Sequence, residues 1–361
     1  FDNSNKITYL RNPNFRDKRF PSEGEATDEA SGLLADAGKK LPLVDKIVVN
    51  IQIETQPRWL DFQKGNSDLM AVPKDNFDQA IDRETKSLSK DMQDKGIRLH
   101  INPAIDVTYL AFNHADPLFK NNLKLRQAMS VAVDREQLNK LFYSGTAFTA
   151  HSVVPPGLAG YKKDFKNPWV EKNVELAKKL LAEAGYPGGK GLPNIRLDTS
   201  SGTELRQIAE FYTKQLGEIG IKIDVITNTW PELVKKTNNK TTQLFAMAWG
   251  ADYPDAENFL QLLYSPNGAP GSNSANYSDP EFDKLFVQAV AMQDGPERTA
   301  MYEKLSEMSA EAVPWIYGLH RTEVRLQQGW MRNFKFIEFN HAQAQYLNVD
   351  LEAKKELLKK F

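Results

Sequence analysis

The stretch that decides the fold is residues 195–249, which begins IRLDT and ends LFAMAW. Short runs rich in β-branched and aromatic residues alternate along it with runs whose apolar residues recur at three- and four-residue steps. The pattern predicts strands over 195–199, 221–226 and 244–249, and helices over 204–219 and 231–236. A strand–helix–strand–helix–strand order indicates a parallel sheet with right-handed crossovers.

The last of these strands leads to a candidate site. Residues 244–249 are apolar throughout, which predicts a strand buried on both faces of a parallel sheet. In open α/β sheets, ligands bind beyond the carboxyl ends of the strands. In the exit loop, Asp252 can pair with a ligand cation, and Gly250 lets a ligand backbone approach closely. Trp249 and Tyr253 offer apolar walls with polar tips.

Two other interpretations of the same loop stay open. Asp252 or Asp255 can serve only as a cap for the helix that follows. Asp252 paired with Asp255 or Glu257 also imitates the two carboxylates of a glycosidase. The chain has 47 acidic residues, so such pairs arise readily by coincidence.

Composition excludes several classes of function. The 46 basic residues balance the 47 acidic ones, which argues against a nucleic-acid partner. The chain has no cysteine, and its five histidines form no close pair. No apolar run reaches the length of a membrane span, and neither a G-x-S-x-G elbow nor a phosphate-binding P-loop is present. We therefore expect no metal, no cofactor and no catalysis.

The rest of the chain adds helices and strands around this segment. An exposed insertion is predicted over 20–40. The other predicted strands are 47–53, 107–112 and 314–326, and the other predicted helices are 57–64, 123–143, 174–184, 255–264, 280–292, 297–312 and 351–359.

Seven short motifs, in this order, give the chain a family resemblance. It resembles the oligopeptide- and dipeptide-binding proteins of ABC importers, nearly from end to end. The motifs are RNPNF at 11–15, FQKGNSD at 62–68, YLAFN at 109–113, LRQAMSVAVDR at 125–135, LLAEAGY at 180–186, GIKI at 220–223 and NYSDPEFD at 276–283.

The resemblance implies an α/β, two-lobed fold of the periplasmic-binding-protein (Venus-flytrap) type. Family members carry a further N-terminal segment, so we expect the N-terminal part of the first lobe to be missing here, with sheet edges or core left exposed. Residues 1–110 and 316–361 would form the partial first lobe, and 111–315 the second lobe.

The resemblance also implies a function and a binding mode. The chain would be a monomeric receptor that captures a di- or oligopeptide by lobe closure for the permease of an ABC transporter. It would work in the periplasm or outside the cell, with a lipid anchor upstream as its one link to the membrane. In the family, the aspartate of a W-x-x-D element holds the α-ammonium of the peptide, which here is Asp252. The backbone of Ala248, Trp249 and Gly250 would pair with the ligand as an added strand.

Departures from the family pattern leave the ligand open. Some oligopeptide binders have an arginine where this chain has Ala246, and some dipeptide binders have one after the strand that matches 195–199. This chain has Arg206 only a turn into the next helix, so the anchor for the ligand carboxylate is unassigned. A non-peptide ligand, such as a metal chelate, an opine or an oligosaccharide, is the main alternative; a hydrolase and a sensory receptor are the others.

Overall fold

A computed structural model describes residues 6–336, 339 and 342–361. The chain forms two compact units, the first made of Phe1–Asn102 and Glu323–Phe361 and the second of Pro103–Thr322. The predicted lobe boundaries, at 110/111 and 315/316, fall inside two strands of the second unit's sheet, and the observed division leaves both strands whole. The predicted first lobe also includes residues 1–5, 337, 338, 340 and 341, which lie outside the described residues.

Strands occur in both units. Their bounds are β1 (Lys6–Leu10), β2 (Lys46–Asn50), β3 (Leu69–Ala71), β4 (Arg98–Pro103), β5 (Asp106–Phe112), β6 (Phe148–Thr149), β7 (Ile195–Ser200), β8 (Ile223–Asn228), β9 (Leu244–Gly250), β10 (Trp315–Tyr317), β11 (Leu319–His320), β12 (Thr322–Gln327), β13 (Met331–Arg332) and β14 (Asn348–Val349).

Helices separate most of these strands. Their bounds are α1 (Thr55–Gln63), α2 (Phe77–Ala80), α3 (Lys90–Asp94), α4 (Pro117–Lys120), α5 (Leu123–Val131), α6 (Arg135–Phe142), α7 (Val174–Glu183), α8 (Thr203–Gly217), α9 (Trp230–Asn238), α10 (Glu257–Leu260), α11 (Pro280–Val290), α12 (Pro296–Ala312) and α13 (Leu351–Leu357).

The second unit is built on a five-stranded sheet with the order β10-β5-β9-β7-β8. Strands β7, β8 and β9 are parallel, as the sequence predicts, and α8 and α9 form the crossovers between them. Strand β5 runs antiparallel to β9 on one side and to β10 on the other. The sheet is therefore mixed.

Two hydrophobic cores cover the two faces of this sheet. Alternate side chains of a strand point to opposite faces, so Leu244 and Phe245 of β9 belong to different cores. The core on the Leu244 face includes residues of α5, α7 and α8. The core on the Phe245 face includes residues of α10, α11 and α12. The result is a three-layer α/β/α unit.

The predicted long helix over 123–143 is instead two helices, α5 and α6. Asp134 caps α6 by accepting a hydrogen bond from the Gln137 N–H at 2.8 Å. The guanidinium of Arg135 is buried and donates to the backbone carbonyls of Ser130, Val133, Val170 and Tyr317 at 2.7–3.0 Å. The carbonyls of Ser130 and Val133 thus bond to the Arg135 side chain at the point where the helix breaks.

The two arginines of the LRQAMSVAVDR motif thus have structural roles. Arg126 is also buried, and it donates to the carbonyls of Val313 and Ala312 at 3.0 Å and to that of Phe119. Burial lowers the pKa of both guanidinium groups to about 10. Both side chains bond backbone carbonyls from separate segments together inside the second unit.

Within its described residues, the first unit contains three small sheets. Strands β1 and β2 form an antiparallel ribbon, β12 lies between β3 and β4, and β13 pairs with β14. Its core packs Trp59 and Phe62 of α1 against Leu326 of β12. The 20–40 insertion forms turns without a helix.

Candidate functional site

The carboxyl-terminal half of β9 forms an open strand edge. Strand β5 pairs with β9 over its full length, as far as Gly250 opposite Asp106. Strand β7 pairs with β9 only at Leu244 and Phe245. The prediction that this strand is buried on both faces is therefore wrong for its second half, where Ala248 and Gly250 are exposed. Because the pairing with β7 stops at Phe245, the second half of β9 has no hydrogen-bonded strand on that side among the described residues.

One hydrogen bond shows to which side of β9 the backbone N–H and C=O groups of each residue point. The Ala251 N–H donates to the Ile105 carbonyl at 2.9 Å, so in this antiparallel ladder Trp249 also exchanges its bonds with β5. Ala248 and Gly250, which alternate with it, direct their N–H and C=O groups to the open edge. Among the described residues these groups have no backbone partner. Of the three residues predicted to pair with a ligand, Ala248 and Gly250 have free groups, whereas those of Trp249 are used within the sheet.

The loop after β9 carries Asp252 on its surface. Its side chain is exposed, and Oδ2 accepts one hydrogen bond, from Nδ2 of Asn258 at 3.3 Å. Asn258 is fully buried, and its Oδ1 accepts from the Asp252 backbone N–H and from the Trp249 indole N–H, both at 3.0 Å. One buried amide thus fixes the wall and the carboxylate of the candidate site. Sequence reasoning missed Asn258, because the run ENFLQLL at 257–263 contains three polar residues and nothing in the sequence singles out this one.

The neighbouring carboxylates are engaged locally. Asp255 accepts from the Glu257 N–H at 2.9 Å, at the start of α10, and pairs with Arg298 at 2.7 Å. The Tyr253 hydroxyl donates to the Glu257 carboxylate. Burial, together with this bond, raises the pKa of Tyr253 to about 12. The helix-start role that the sequence left open for either aspartate belongs to Asp255, and Asp252 does not share it.

An ion pair whose carboxylate is buried lies beside Gly250 in the sheet. Asp106, its register partner on β5, is 2% exposed. The Asp106 carboxylate accepts from the Arg321 backbone N–H at 2.8 Å and from the Arg321 side chain. No local pattern predicts this pair, because Asp106 and Arg321 are far apart in the chain.

Arg206 and Lys236, on the helices that follow β7 and β8, each lie near a carboxylate. Arg206 on α8 is exposed and lies 3.8 Å from Glu210. Lys236 on α9 lies 2.7 Å from Asp198, a buried carboxylate in β7. The carboxylate anchor therefore stays unassigned.

The described residues contain neither a cluster of metal-binding side chains nor a membrane-spanning helix. Across residues 6–336, 339 and 342–361, no three His, Asp or Glu side chains are grouped so that they could hold a metal ion. No helix within these residues has both the length and the apolar character to cross a membrane.

Comparison with known proteins gives a family model and several relatives that match this chain. The model of the bacterial extracellular solute-binding proteins, family 5 (Middle), matches residues 1–271. The chain is 28% identical to heme-binding protein A of Haemophilus influenzae, over 77% of this chain and 49% of that protein. It is 26% identical to the dipeptide-binding protein of Escherichia coli, over 78% of this chain and 51% of that protein. The chain spans about half the length of the curated relatives it matches.

Solved structures show the same fold. The periplasmic binding protein DppA of Helicobacter pylori, in complex with the peptide STSA, has a TM-score of 0.79 at 23% identity, covering 97% of this chain and 61% of that one. The oligopeptide-binding protein AppA of Bacillus subtilis, in complex with a nonapeptide, has a TM-score of 0.73 at 22% identity, covering 85% and 60%. These likenesses confirm the predicted fold class, an α/β fold of the two-lobed periplasmic-binding-protein type. Because the family model covers well over half of the sequence, the chain belongs to the bacterial extracellular solute-binding proteins of family 5.

Proposed function

We propose that this chain is part of a receptor that captures a di- or oligopeptide outside the cytoplasm and delivers it to the permease of an ABC importer. The observation that carries the proposal is the open edge of β9, which ends beside an exposed carboxylate. The relatives named for peptide binding support the same function. The receptor acts as a monomer in the periplasm or at the cell surface and performs no catalysis.

The peptide main chain binds as an added strand. The free N–H and C=O groups of Ala248 and Gly250 supply hydrogen bonds that do not depend on the ligand's side chains. Ala248 is small and Gly250 has no Cβ, so a second backbone can approach this edge closely. Recognition of this kind suits a receptor for peptides of varied sequence.

The peptide amino terminus binds at Asp252. Its carboxylate accepts one hydrogen bond, from Asn258, and a carboxylate can accept several. An α-ammonium group supplies three donors and a positive charge. A charge-assisted hydrogen bond of this kind contributes about 1.5–3 kcal/mol.

Native mass spectrometry of the complete gene product, purified without denaturation, tests the function. We expect bound species whose masses form a series of peptides and which leave the protein on denaturation. A single bound species with the mass of a non-peptide compound would contradict the proposal. So would a protein that stays unliganded after incubation with a peptide digest.

A non-peptide ligand is the second candidate. One relative is named for heme binding, and one solved structure with the same fold holds Ni(L-His)2. Both show that this fold accepts other ligands. A heme-loaded protein would show a Soret absorption band on purification, and its appearance would favour this candidate over peptide capture.

A further inference from the structure

We propose that the first unit has a ligand site of its own, a pocket beneath the 20–40 insertion, and that it binds a small aromatic compound carrying a primary ammonium group. The pocket lies between the insertion and residues 333–335 and 343–346 and has a volume of about 290 Å³. That volume holds about ten non-hydrogen atoms. All residues that line it belong to the first unit, so the pocket is separate from the β9 edge.

The insertion is a loop closed by a short antiparallel stem. The Phe20 N–H donates to the Lys39 carbonyl at 2.8 Å, and the Gly38 N–H donates to the Phe20 carbonyl at 3.0 Å. One step further along, the Leu41 N–H donates to the Lys18 carbonyl at 2.9 Å. The two ends of the loop are thereby held together, as in other compact surface loops.

Two buried aspartates fix this loop to the end of the chain. Asp36 is 6% exposed and accepts from Nδ2 of Asn333 at 2.7 Å and from Nδ2 of Asn348 at 2.8 Å. Asp28 is 7% exposed and pairs with Lys335. The pocket lies between segments that are already held in place, which lowers the ordering cost of binding a ligand.

The walls of the pocket are mostly apolar. The loop contributes Phe20, Pro21, Leu33 and Leu34, and Tyr346 faces them from the other segment. The rings of Phe20 and Tyr346 meet edge to face, with their centroids 5.9 Å apart. Apolar and aromatic walls with a few polar groups are typical of small-molecule sites. An aromatic ring of the ligand fits walls of this kind.

The polar side chains of the lining have used most of their donors. Nζ of Lys335 donates to both carboxylate oxygens of Asp28, at 2.8 and 2.9 Å, and to Glu25 at 3.0 Å. An ammonium group has three N–H donors, so none is left for a ligand. Nδ2 of Asn333 also makes two hydrogen bonds, and Nε2 of Gln343 makes one. Among the described residues, Oδ1 of Asn333 and Oε1 of Gln343 have no hydrogen-bond partner, and both can accept.

The charge of the lining is negative. It carries the carboxylates of Glu23 and Asp28 and the single ammonium of Lys335. Glu25 and Lys18 lie next to the pocket without lining it, and their charges offset each other. A negative field favours a cation over an anion. A primary ammonium also brings the three donors that the free acceptors require.

Tryptamine is the probe for this site, and two matched compounds separate its features. Indole-3-propionate has the same ring with a carboxylate in place of the ammonium, and propylamine has the ammonium without the ring. Each compound is titrated into the complete gene product, followed by the methyl NMR signals of Leu33 and Leu34. We expect tryptamine to shift both sets of signals and to bind at least about tenfold more tightly than either matched compound. Unshifted signals, or equal affinity for a matched compound, would overturn the proposal.

A matched pair of variants tests the contribution of charge. Glu23 and Glu29 are both exposed residues of the loop, and only Glu23 lines the pocket. Glu23→Gln should weaken tryptamine binding about three- to fivefold, the size expected for a partly exposed charge pair. Glu29→Gln should change it less than about twofold. Equal effects of the two variants would contradict a site at this pocket.

Asp252→Asn separates this site from the proposed peptide site, because an ammonium group could also bind at Asp252. We expect this variant to keep the tryptamine-induced shifts of Leu33 and Leu34, and Glu23→Gln to bind peptide as the parent protein does. Loss of the shifts in Asp252→Asn would assign tryptamine to the β9 edge and overturn the second site. Failure of peptide binding alone would leave the pocket's own test intact.

Discussion

Asn258 holds Asp252 by two hydrogen bonds, from the Asp252 backbone N–H to Oδ1 at 3.0 Å and from Nδ2 to the Asp252 carboxylate at 3.3 Å. The amide is fully buried and the carboxylate is exposed. A rigid interior residue thus presents a negative charge at the surface. Preorganisation of this kind lowers the ordering cost of binding a cation.

Loss of this amide should destabilise the second unit. Asn258→Ala leaves the Trp249 indole N–H and the Asp252 N–H without their acceptor. We expect the free energy of unfolding to fall by about 1–3 kcal/mol, the cost of buried polar groups without partners. Urea denaturation followed by tryptophan fluorescence measures it. Asn194→Ala, at an exposed position, is the matched control and should change the value by less than about 0.5 kcal/mol. Equal effects would contradict the role of Asn258.

Arg135 should be essential for stability and not for binding. Arg135→Met removes the donors for four backbone carbonyls. We expect a loss of about 3 kcal/mol or more, since buried acceptors lose their partners. Arg206→Met, at an exposed position on α8, should change stability by less than about 0.5 kcal/mol. Denaturation curves of both variants test this, and a mild effect of Arg135→Met would contradict it.

Stability should depend on pH through His320. Burial lowers the pKa of this imidazole from 6.5 to about 4, and its Nδ1 lies 2.7 Å from the Asp106 carbonyl oxygen. Between these two pH values the unfolded chain binds a proton that the folded chain does not. The free energy of unfolding is therefore unaffected by His320 above pH 6.5. It falls as the pH falls from 6.5 toward 4, by up to about 3 kcal/mol, because protonation of this imidazole favours the unfolded chain. His320→Asn should flatten that part of the curve of unfolding free energy against pH. An unchanged slope would contradict the assignment.

Binding should show the alternation of a β-strand. The most abundant peptide that co-purifies can be resynthesised with a single N-methyl group at each amide in turn. We expect about tenfold weaker binding at the amides that donate to β9, which recur at every second residue, because each loses a hydrogen bond of about 1 kcal/mol. The amides between them face away from β9 and should tolerate the methyl group. Competition binding measures the series, and uniform losses would contradict strand addition at Ala248 and Gly250.

Much of the second unit could be predicted from the sequence, because its strands and helices have clear periodicities. The predicted strand over 195–199 and helix over 174–184 differ from β7 and α7 by one residue at an end. The break between α5 and α6 could not be predicted, since Arg135 is held at this position by the carbonyls of Val170 and Tyr317, which come from distant segments. Local periodicity carries no information on such contacts.

The candidate site was predictable in position and not in detail. The rule that ligands bind beyond strand ends leads to Trp249 and Asp252. The open edge at Ala248 depends on where pairing with β7 stops, which no local pattern encodes. The apolar run 244–249 is typical of a buried strand. Its second half is exposed because β7 does not pair with it.

Calorimetric titration of the complete gene product and its Asp252→Asn variant tests the central claim most directly. The ligands are one co-purified peptide with a free amino terminus and the same peptide acetylated at that terminus. Asp252→Asn keeps the shape of the side chain and removes its charge. We predict that the variant binds the free peptide about 10- to 100-fold more weakly, from a lost charge-assisted bond of about 1.5–3 kcal/mol, and binds the acetylated peptide as well as the parent protein does. An unchanged dissociation constant for the free peptide, or an equal loss for both peptides, would contradict the claim that this carboxylate binds the peptide amino terminus.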